Sequence, residues 1–165
     1  MKVVKFGGSS LASGSSVEQA LNIILSDPQR QVIVVSAPGK RESGDIKVTD
    51  LLIKYANEVL NKQDTTEIVK QIFARYQEIG HYFGLSDQKL QVIKDILVTL
   101  PEQTYPNSDY LMAAFKAHGE RLNARLIALI LQHKNIKSRF LDPTEAGLIV
   151  TSEPNDALVN PESYL

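Results

Sequence analysis

Two kinds of apolar pattern alternate near the start of this chain, and together they predict a strand–helix–strand unit. Val3, Val4 and Phe6 form a short apolar run that predicts a strand. Val32–Ala37 is apolar on both faces and rich in β-branched residues, which predicts a second strand buried on both sides of a parallel sheet. Between the two runs, apolar residues recur at helical spacing: Val17, Ala20, Leu21, Ile24 and Leu25.

Helical spacing dominates the middle of the chain. Ser15 and Glu18 have the spacing of a capping box, which predicts the start of the first helix, and Asp27-Pro28 predicts its end. Further helices are predicted in four places: from Val48, after Asp64–Glu67, after Ser86-Asp87, and from Ser108 to about His133.

The remaining segments predict loops and short strands. Lys40–Lys47 is polar, and its length and charge predict a mobile loop. Ile136–Leu141 alternates like a strand, Leu148–Thr151 predicts another short strand, and Ser152–Leu165 predicts a loop or a disordered end. The element order therefore predicts an α/β fold with a parallel-rich sheet, flanked by helices and with a large helical section between strands.

The end of the first predicted strand carries candidate chemistry. Because Gly7 and Gly8 lack a Cβ, their backbone N–H groups can approach an anion closely. The following helix adds its positive N-terminal end, and Lys5 could place a positive charge beside the same anion. This arrangement is typical of a phosphate-binding site. The alternative is a tight turn beside a solvated lysine, and spacing alone leaves both open. The stretch matches neither the dinucleotide-binding fingerprint nor the P-loop.

The second predicted strand ends in Ser36–Gly39, as the first ends in Gly7–Ser10. Parallel strands have their carboxyl ends at the same edge of a sheet, where ligands of α/β proteins gather. These two segments are therefore expected to line one crevice.

The longest predicted helix contains His118-Gly119-Glu120. Glycine inside a helix costs about 1 kcal/mol relative to alanine, so close packing, a break or a ligand should explain it. Glu120 could offer its carboxylate to a cationic group of a ligand, although helical spacing alone favours a solvated helix face. Thr49 is likewise more typical of a helix N-cap than of a substrate contact.

Composition excludes several classes of function. The chain has 165 residues, the length of one domain. It has 18 Lys and Arg against 19 Asp and Glu, and this net charge of −1 gives no general attraction to nucleic acid or anionic membranes. Without cysteine it has no disulfide, thiolate metal site or cysteine nucleophile. Its three histidines lie too far apart for a short metal motif. No apolar run reaches the roughly 18 residues of a membrane span, and no signal-peptide core precedes Val3, so a cytoplasmic location is expected.

Four motifs, taken in order, resemble the aspartokinases of the amino acid kinase family. They are Val4-Lys-Phe-Gly-Gly-Ser-Ser10, Val34-Val-Ser-Ala37, Val48-Thr-Asp-Leu-Leu52 and His118-Gly-Glu-Arg-Leu122. The resemblance spans nearly the whole chain and implies the N-terminal lobe of the amino acid kinase fold. It also implies ATP-dependent phosphorylation of the L-aspartate side-chain carboxylate to 4-phospho-L-aspartate, the first step of lysine, threonine and methionine biosynthesis.

The resemblance further implies roles for individual residues. Lys5 would be catalytic, neutralising charge on the transferred phosphoryl group. Lys5 would also bind ATP together with four neighbours: Phe6, Gly7, Gly8 and Ser9. Ser36, Thr49 and Glu120 would contact L-aspartate, with Glu120 pairing with its ammonium group. Mg²⁺ would accompany ATP, and no residue is assigned as a metal ligand.

Aspartokinase chains also contain parts that this sequence does not match. Residues 123–165 show neither the family's Arg-Gly-Gly-Ser-Asp stretch nor its nucleotide-base pocket and regulatory domains. Residues 1–165 are therefore expected to form an incomplete catalytic domain, inactive alone, whose open sheet edge favours a homo-oligomer. Two alternatives stay open: a non-catalytic binding or assembly fragment, and a kinase of this fold acting on another amino acid.

Overall fold

The computed structural model describes residues 1–164 and, within them, places five α-helices beside a two-stranded parallel sheet. The elements are β1 (Lys2–Phe6), α1 (Gly14–Leu25), β2 (Arg30–Val35), α2 (Val48–Leu60), α3 (Thr66–Tyr82), α4 (Asp87–Thr99) and α5 (Ser108–His133). Short 3₁₀ helices lie at Gly8–Leu11, Leu100–Glu102 and Pro161–Tyr164. The predicted α/β class and all the predicted helices are confirmed.

The sheet is covered on one face only. In the parallel register Val3 pairs with Val32, Lys5 with Val34 and Phe6 with Val35, so each pair shares a face. Four side chains on one face pack against the core: Val4, Phe6, Ile33 and Val35. On the other face Val3, Val32 and Val34 are 62%, 38% and 47% exposed. Within residues 1–164, the prediction that the second strand is buried on both sides is therefore wrong.

This exposed valine face is relevant to assembly. Contiguous apolar surface favours association, and a net charge of −1 gives little repulsion between copies. The expected homo-oligomer stays a prediction.

Helix α1 begins earlier than the capping-box pattern predicts. Its N-cap is Ser13, whose Oγ accepts a hydrogen bond from the Ser16 N–H at 3.3 Å. Glu18 instead accepts a hydrogen bond from the Tyr82 hydroxyl at 2.7 Å and so joins α1 to α3. Gly14 packs directly under the Tyr82 ring, which a Cβ would overlap. The capping box at Ser15 is therefore wrong, because the contact with α3 sets where the helix starts.

The strand predicted over Ile136–Leu141 does not form. The Ser138 hydroxyl donates to the Ala128 carbonyl at 3.0 Å, and the Arg125 guanidinium lies 4.0 Å from the centre of the Phe140 ring. The alternating pattern thus reflects contacts with α5 rather than with a neighbouring strand, and the strand prediction is wrong.

The predicted strand Leu148–Thr151 is reduced to one antiparallel bridge, between Val150 and Val159. The Thr151 N–H donates to the Leu158 carbonyl at 2.9 Å, so the segment predicted to be a loop folds back on itself. In the described chain the sheet gains no third strand, and helices α2 to α5 follow both strands instead of lying between strands.

Helices α2 to α5 enclose most of the core. Its largest fully buried side chains include Tyr55, Tyr76 and Phe115, and the Tyr55 hydroxyl donates to the Leu97 carbonyl at 2.8 Å. Each buried aromatic side chain removes a large apolar area from water, which stabilises the fold.

Helix α5 passes very close to the chain just beyond β2. A Cβ on Gly119 would lie 2.7 Å from the Ala37 Cβ and 3.3 Å from Leu52 Cδ1. The Tyr76 hydroxyl also donates to the Gly119 carbonyl at 3.0 Å. Close packing therefore explains the glycine in the interior of α5.

Gly119→Ala tests this packing, because helix propensity and steric overlap change the free energy of unfolding in opposite directions. Helix propensity alone would raise the free energy of unfolding by about 1 kcal/mol. We expect instead that the clash with Ala37 lowers it by about 1–3 kcal/mol, measured by urea unfolding followed by circular dichroism. An increase in stability would contradict the close contact.

Candidate functional site

A cleft of about 460 Å³ opens at the carboxyl ends of β1 and β2, where the sequence predicts a crevice. Its walls come from the two loops that follow the strands, from the start of α2 and from the middle of α5. The lining residues are Gly8, Ser9, Ser36, Ala37, Pro38, Gly39, Lys40, Lys47, Thr49 and Glu120.

The cleft brings together five of the eight predicted site residues: Gly8, Ser9, Ser36, Thr49 and Glu120. The other three do not line it. Lys5 lies on the exposed face of the sheet, paired in register with Val34. Phe6 lines a separate hollow of about 270 Å³ beside α1, which Ser9 also lines. The binding roles of all eight residues stay predictions.

The two strand-end loops pack backbone against backbone. The Gly39 N–H donates to the Gly8 carbonyl at 2.8 Å. A Cβ on Gly8 would lie 2.9 Å from the Ala37 carbonyl oxygen, and a Cβ on Gly39 would lie 2.7 Å from the Gly8 carbonyl carbon. Both positions therefore require glycine for the approach of the chain to itself.

Gly7 is different. Its φ of −79° and ψ of 168° suit any residue, and a Cβ there would meet no described atom within 4 Å. Neither backbone conformation nor packing within residues 1–164 explains this glycine. Close approach of a ligand to the backbone is a remaining physical reason.

Glu120 and Ser36 form neighbouring parts of the cleft wall and are held by a shared anchor. Asn123, one turn along α5 from Glu120, is completely buried and donates from Nδ2 to the Ser36 carbonyl at 2.7 Å. The Glu120 carboxylate is exposed and makes no hydrogen bond or ion pair with residues 1–164. It is thus available to a cationic group of a ligand.

Thr49 lines the cleft but does not cap α2. The N-cap is Lys47, which makes no side-chain capping bond, and Thr49 is the second residue of the helix. The Val48 N–H donates to the Pro38 carbonyl at 3.1 Å, so the strand-end loop fixes the start of α2. The N-cap interpretation of Thr49 is therefore wrong.

Sequence reasoning missed Lys40 and Lys47 as cleft residues, because it placed both in a mobile loop. Both line the cleft, and neither ammonium group pairs with another side chain in the described part of the protein. Lys2 and Lys54, in contrast, pair with carboxylates. The available signal was their position beside the carboxyl end of a strand. With Glu120, they give the cleft two cationic groups and one anionic group.

His118 acts as a packing residue beside this wall. It is 9% exposed, and its Nδ1 donates to the Ala114 carbonyl at 2.7 Å. Burial lowers the pKa of His118 from its ordinary value of 6.5, and the nearby Arg121 and Arg125 lower it further. Within residues 1–164 no three His, Asp or Glu side chains lie close enough to hold a metal ion. No helix there is long and apolar enough to cross a membrane.

His118→Gln should remove part of the pH dependence of stability. Because the folded pKa lies below the unfolded one, the unfolded state binds more protons as the pH falls through 6.5. The wild type should therefore lose stability between about pH 7 and pH 5 more steeply than the variant, measured by urea unfolding at each pH. Parallel pH profiles would contradict this assignment.

A parallel strand–helix–strand unit with a glycine-lined cleft at its strand ends is typical of α/β proteins that bind a ligand at that edge of the sheet. The family model described as "Amino acid kinase family" matches residues 1–163, and the chain belongs to that family. It is 45% identical to aspartokinase 3 of Bacillus subtilis (strain 168) over 99% of this chain and 36% of the relative. It is 28% identical to chloroplastic aspartokinase 2 of Arabidopsis thaliana, over 98% of this chain and 30% of that protein.

Solved structures agree with this assignment. Aspartate kinase from Clostridium acetobutylicum is similar, with a TM-score of 0.65 and 32% identity over 90% of this chain and 31% of that chain. The fold also matches E. coli aspartokinase III in complex with aspartate and ADP, with a TM-score of 0.73 and 20% identity, covering 98% of this chain and 35% of that one. The protein thus spans about a third of the length of these relatives.

Proposed function

We propose that residues 1–165 form the substrate-binding lobe of an aspartate kinase, which transfers a phosphoryl group from ATP to the side-chain carboxylate of L-aspartate. The observation that carries this proposal is the cleft that gathers Ser36, Thr49 and Glu120 with two lysines. The 45% identity to a Bacillus aspartokinase supports it. We further propose that the product is 4-phospho-L-aspartate, serving amino-acid biosynthesis in the cytoplasm.

Charge complementarity supports aspartate as the ligand. L-Aspartate carries two carboxylates and one ammonium group at neutral pH. The cleft offers the opposite set, namely Lys40, Lys47 and the carboxylate of Glu120. Hydroxyl groups of Ser36 and Thr49 can add hydrogen bonds to the carboxylates. In this arrangement Glu120 binds the ammonium group and so fixes the orientation of the amino acid.

The strand-end glycines fit a phosphate group. Gly8 and Ser9 line the cleft, and Gly7 leaves open space where a side chain would otherwise stand. Bound ATP would supply the phosphoryl group, with Mg²⁺ carried on its phosphates. The proposed role of Lys5 is to neutralise charge on that group, for which its ammonium must reach around the end of β1 from the exposed sheet face. We infer that transfer also needs residues present in the longer relatives.

Glu120→Gln tests the amino-acid site. We expect L-aspartate to bind the wild-type chain and its affinity to fall about tenfold or more in the variant, measured by isothermal titration calorimetry, because the ammonium group loses its ionic partner. The matched control is Glu153→Gln, the same charge change on an exposed residue that does not line the cleft. Equal affinities of the wild type and Glu120→Gln would contradict the assignment, and tighter binding of L-glutamate would favour the alternative substrate.

Gly7→Ala and Gly8→Ala separate ligand approach from self-packing. We expect Gly7→Ala to change the free energy of unfolding by less than about 0.5 kcal/mol while weakening Mg-ATP binding about tenfold. Gly8→Ala should lower stability by about 1–3 kcal/mol, because its Cβ meets the Ala37 carbonyl. Urea unfolding and calorimetric titration give the two readouts. Unchanged Mg-ATP binding in Gly7→Ala would contradict a phosphate site at this turn.

A further inference from the structure

Arg75 is a buried cation outside the cleft, and the proposed chemistry does not use it. It lies on α3 with only 5% of its surface exposed. Arginine is rarely buried unless it is paired, because the charge loses its hydration. Such a residue therefore calls for an explanation in its contacts.

These contacts join the two ends of one loop. Nη2 of Arg75 donates to the Gly39 carbonyl at 2.7 Å, and Nη1 donates to the Ile46 carbonyl at 2.7 Å. Nη1 also lies 3.3 Å from Asp45 Oδ2. The planar guanidinium presents several donors in a fixed geometry, so one side chain can bridge both carbonyls. The loop predicted to be mobile, Lys40–Lys47, is thus bonded to α3 through a buried side chain.

A second arginine, Arg41 in the loop itself, bonds the same loop to α3 at the protein surface. Arg41 donates from Nε to Asp45 at 2.9 Å and from Nη1 to Glu78 of α3 at 2.6 Å. Its side chain is 39% exposed, so solvent screens these ion pairs and their contribution is small. The hydrogen bonds from Arg41 also hold the pKa of Asp45 well below its usual range, which keeps that carboxylate charged and paired. The bonds from Arg75 escape this screening, because its side chain is buried.

The loop between these anchors carries the cationic wall of the cleft. Lys40 follows Gly39 directly, and Lys47 follows Ile46 directly. Each carbonyl that Arg75 binds therefore belongs to the residue before a cleft lysine. Movement of the loop would displace both ammonium groups together.

We propose that Arg75 is a positioning residue that holds Lys40 and Lys47 in place to bind the side-chain carboxylate of a dicarboxylic amino acid. The proposal rests on the proposed function for the identity of the ligand. Arg75 itself does not line the cleft. Its effect on ligand binding therefore acts through the loop, and it should alter selectivity for a second carboxylate more than binding of amino acids in general.

The test compares L-aspartate with L-asparagine, which lacks the second carboxylate, by titration calorimetry of the full 165-residue chain. The wild type should prefer aspartate by about tenfold or more, and Arg75→Gln should reduce this preference to about threefold or less. The double variant Lys40→Gln/Lys47→Gln should lose the preference equally. Arg41→Gln, which removes only the bonds at the protein surface, should keep it. A preserved preference in Arg75→Gln would overturn the proposal.

Hydrogen exchange measured by mass spectrometry gives a readout that needs no ligand. Arg75→Gln should speed exchange of the 39–47 amides about tenfold and Arg41→Gln by less than about threefold, with α4 unchanged in both. If Arg75→Gln does not fold, Arg75→Lys replaces it, because an ammonium keeps the charge beside Asp45 but cannot bridge two carbonyls.

If the wild type binds neither amino acid, the proposed function fails. Faster loop exchange in the variant would then still support the positioning role, and unchanged exchange would overturn it.

Discussion

The contact between Gly119 and Ala37 is the constraint on which both the fold and the cleft depend. Without a Cβ at Gly119, α5 comes close enough to the chain beyond β2 for the Asn123 amide to bond the Ser36 carbonyl, and the Tyr76 hydroxyl of α3 bonds the Gly119 carbonyl beside this contact. The same contact brings the Glu120 carboxylate to the cleft beside Ser36. Core packing and site geometry are therefore coupled, since a shift of α5 would move Glu120 and disturb the bond from α5 to the Ser36 backbone.

The charged side chains around the cleft form two groups: those that hold the loop in place and those whose charge is available to a ligand. Arg41 and Arg75 both pair with Asp45, and Arg75 also bonds the loop backbone, whereas Lys40 and Lys47 make no ion pair within the described chain. The Arg41 pairs are partly exposed and contribute little to stability, so the main effect of Arg41 is to fix the shape of the loop. An unpaired charge in a concave site strengthens attraction for a ligand of the opposite sign. The loop thus separates the groups that shape the site from those that can bind.

Local pattern predicted the helices, the parallel strand pair and the crevice between the strand ends, because helical spacing and strand-end glycines act over a few residues. It failed where a distant contact decided the outcome. Tyr82 sets the start of α1, and α5 holds Ile136–Leu141 in place of a strand. The same limit applies to the site: Ser36 and Glu120 were found through motifs, but Lys40 and Lys47 lie in a loop whose backbone carbonyls bond Arg75 of the distant α3.

The arrangement of β1 suggests how substrate and phosphate could be kept apart before they react. Strand alternation puts Lys5 on the exposed face and Phe6 on the covered face, so neither lines the cleft. Ser9 lines both the cleft and the hollow beside α1. Gly7 lies two residues earlier, at the end of β1, and no contact within residues 1–164 requires glycine there. An amino acid in the cleft and a phosphate beside Gly7 would then meet across the backbone of Gly8 and Ser9. Since phosphoryl transfer depends on positioning and on positive charge, the rigid packing of Gly8 against Gly39 is what would hold the two reactants in line.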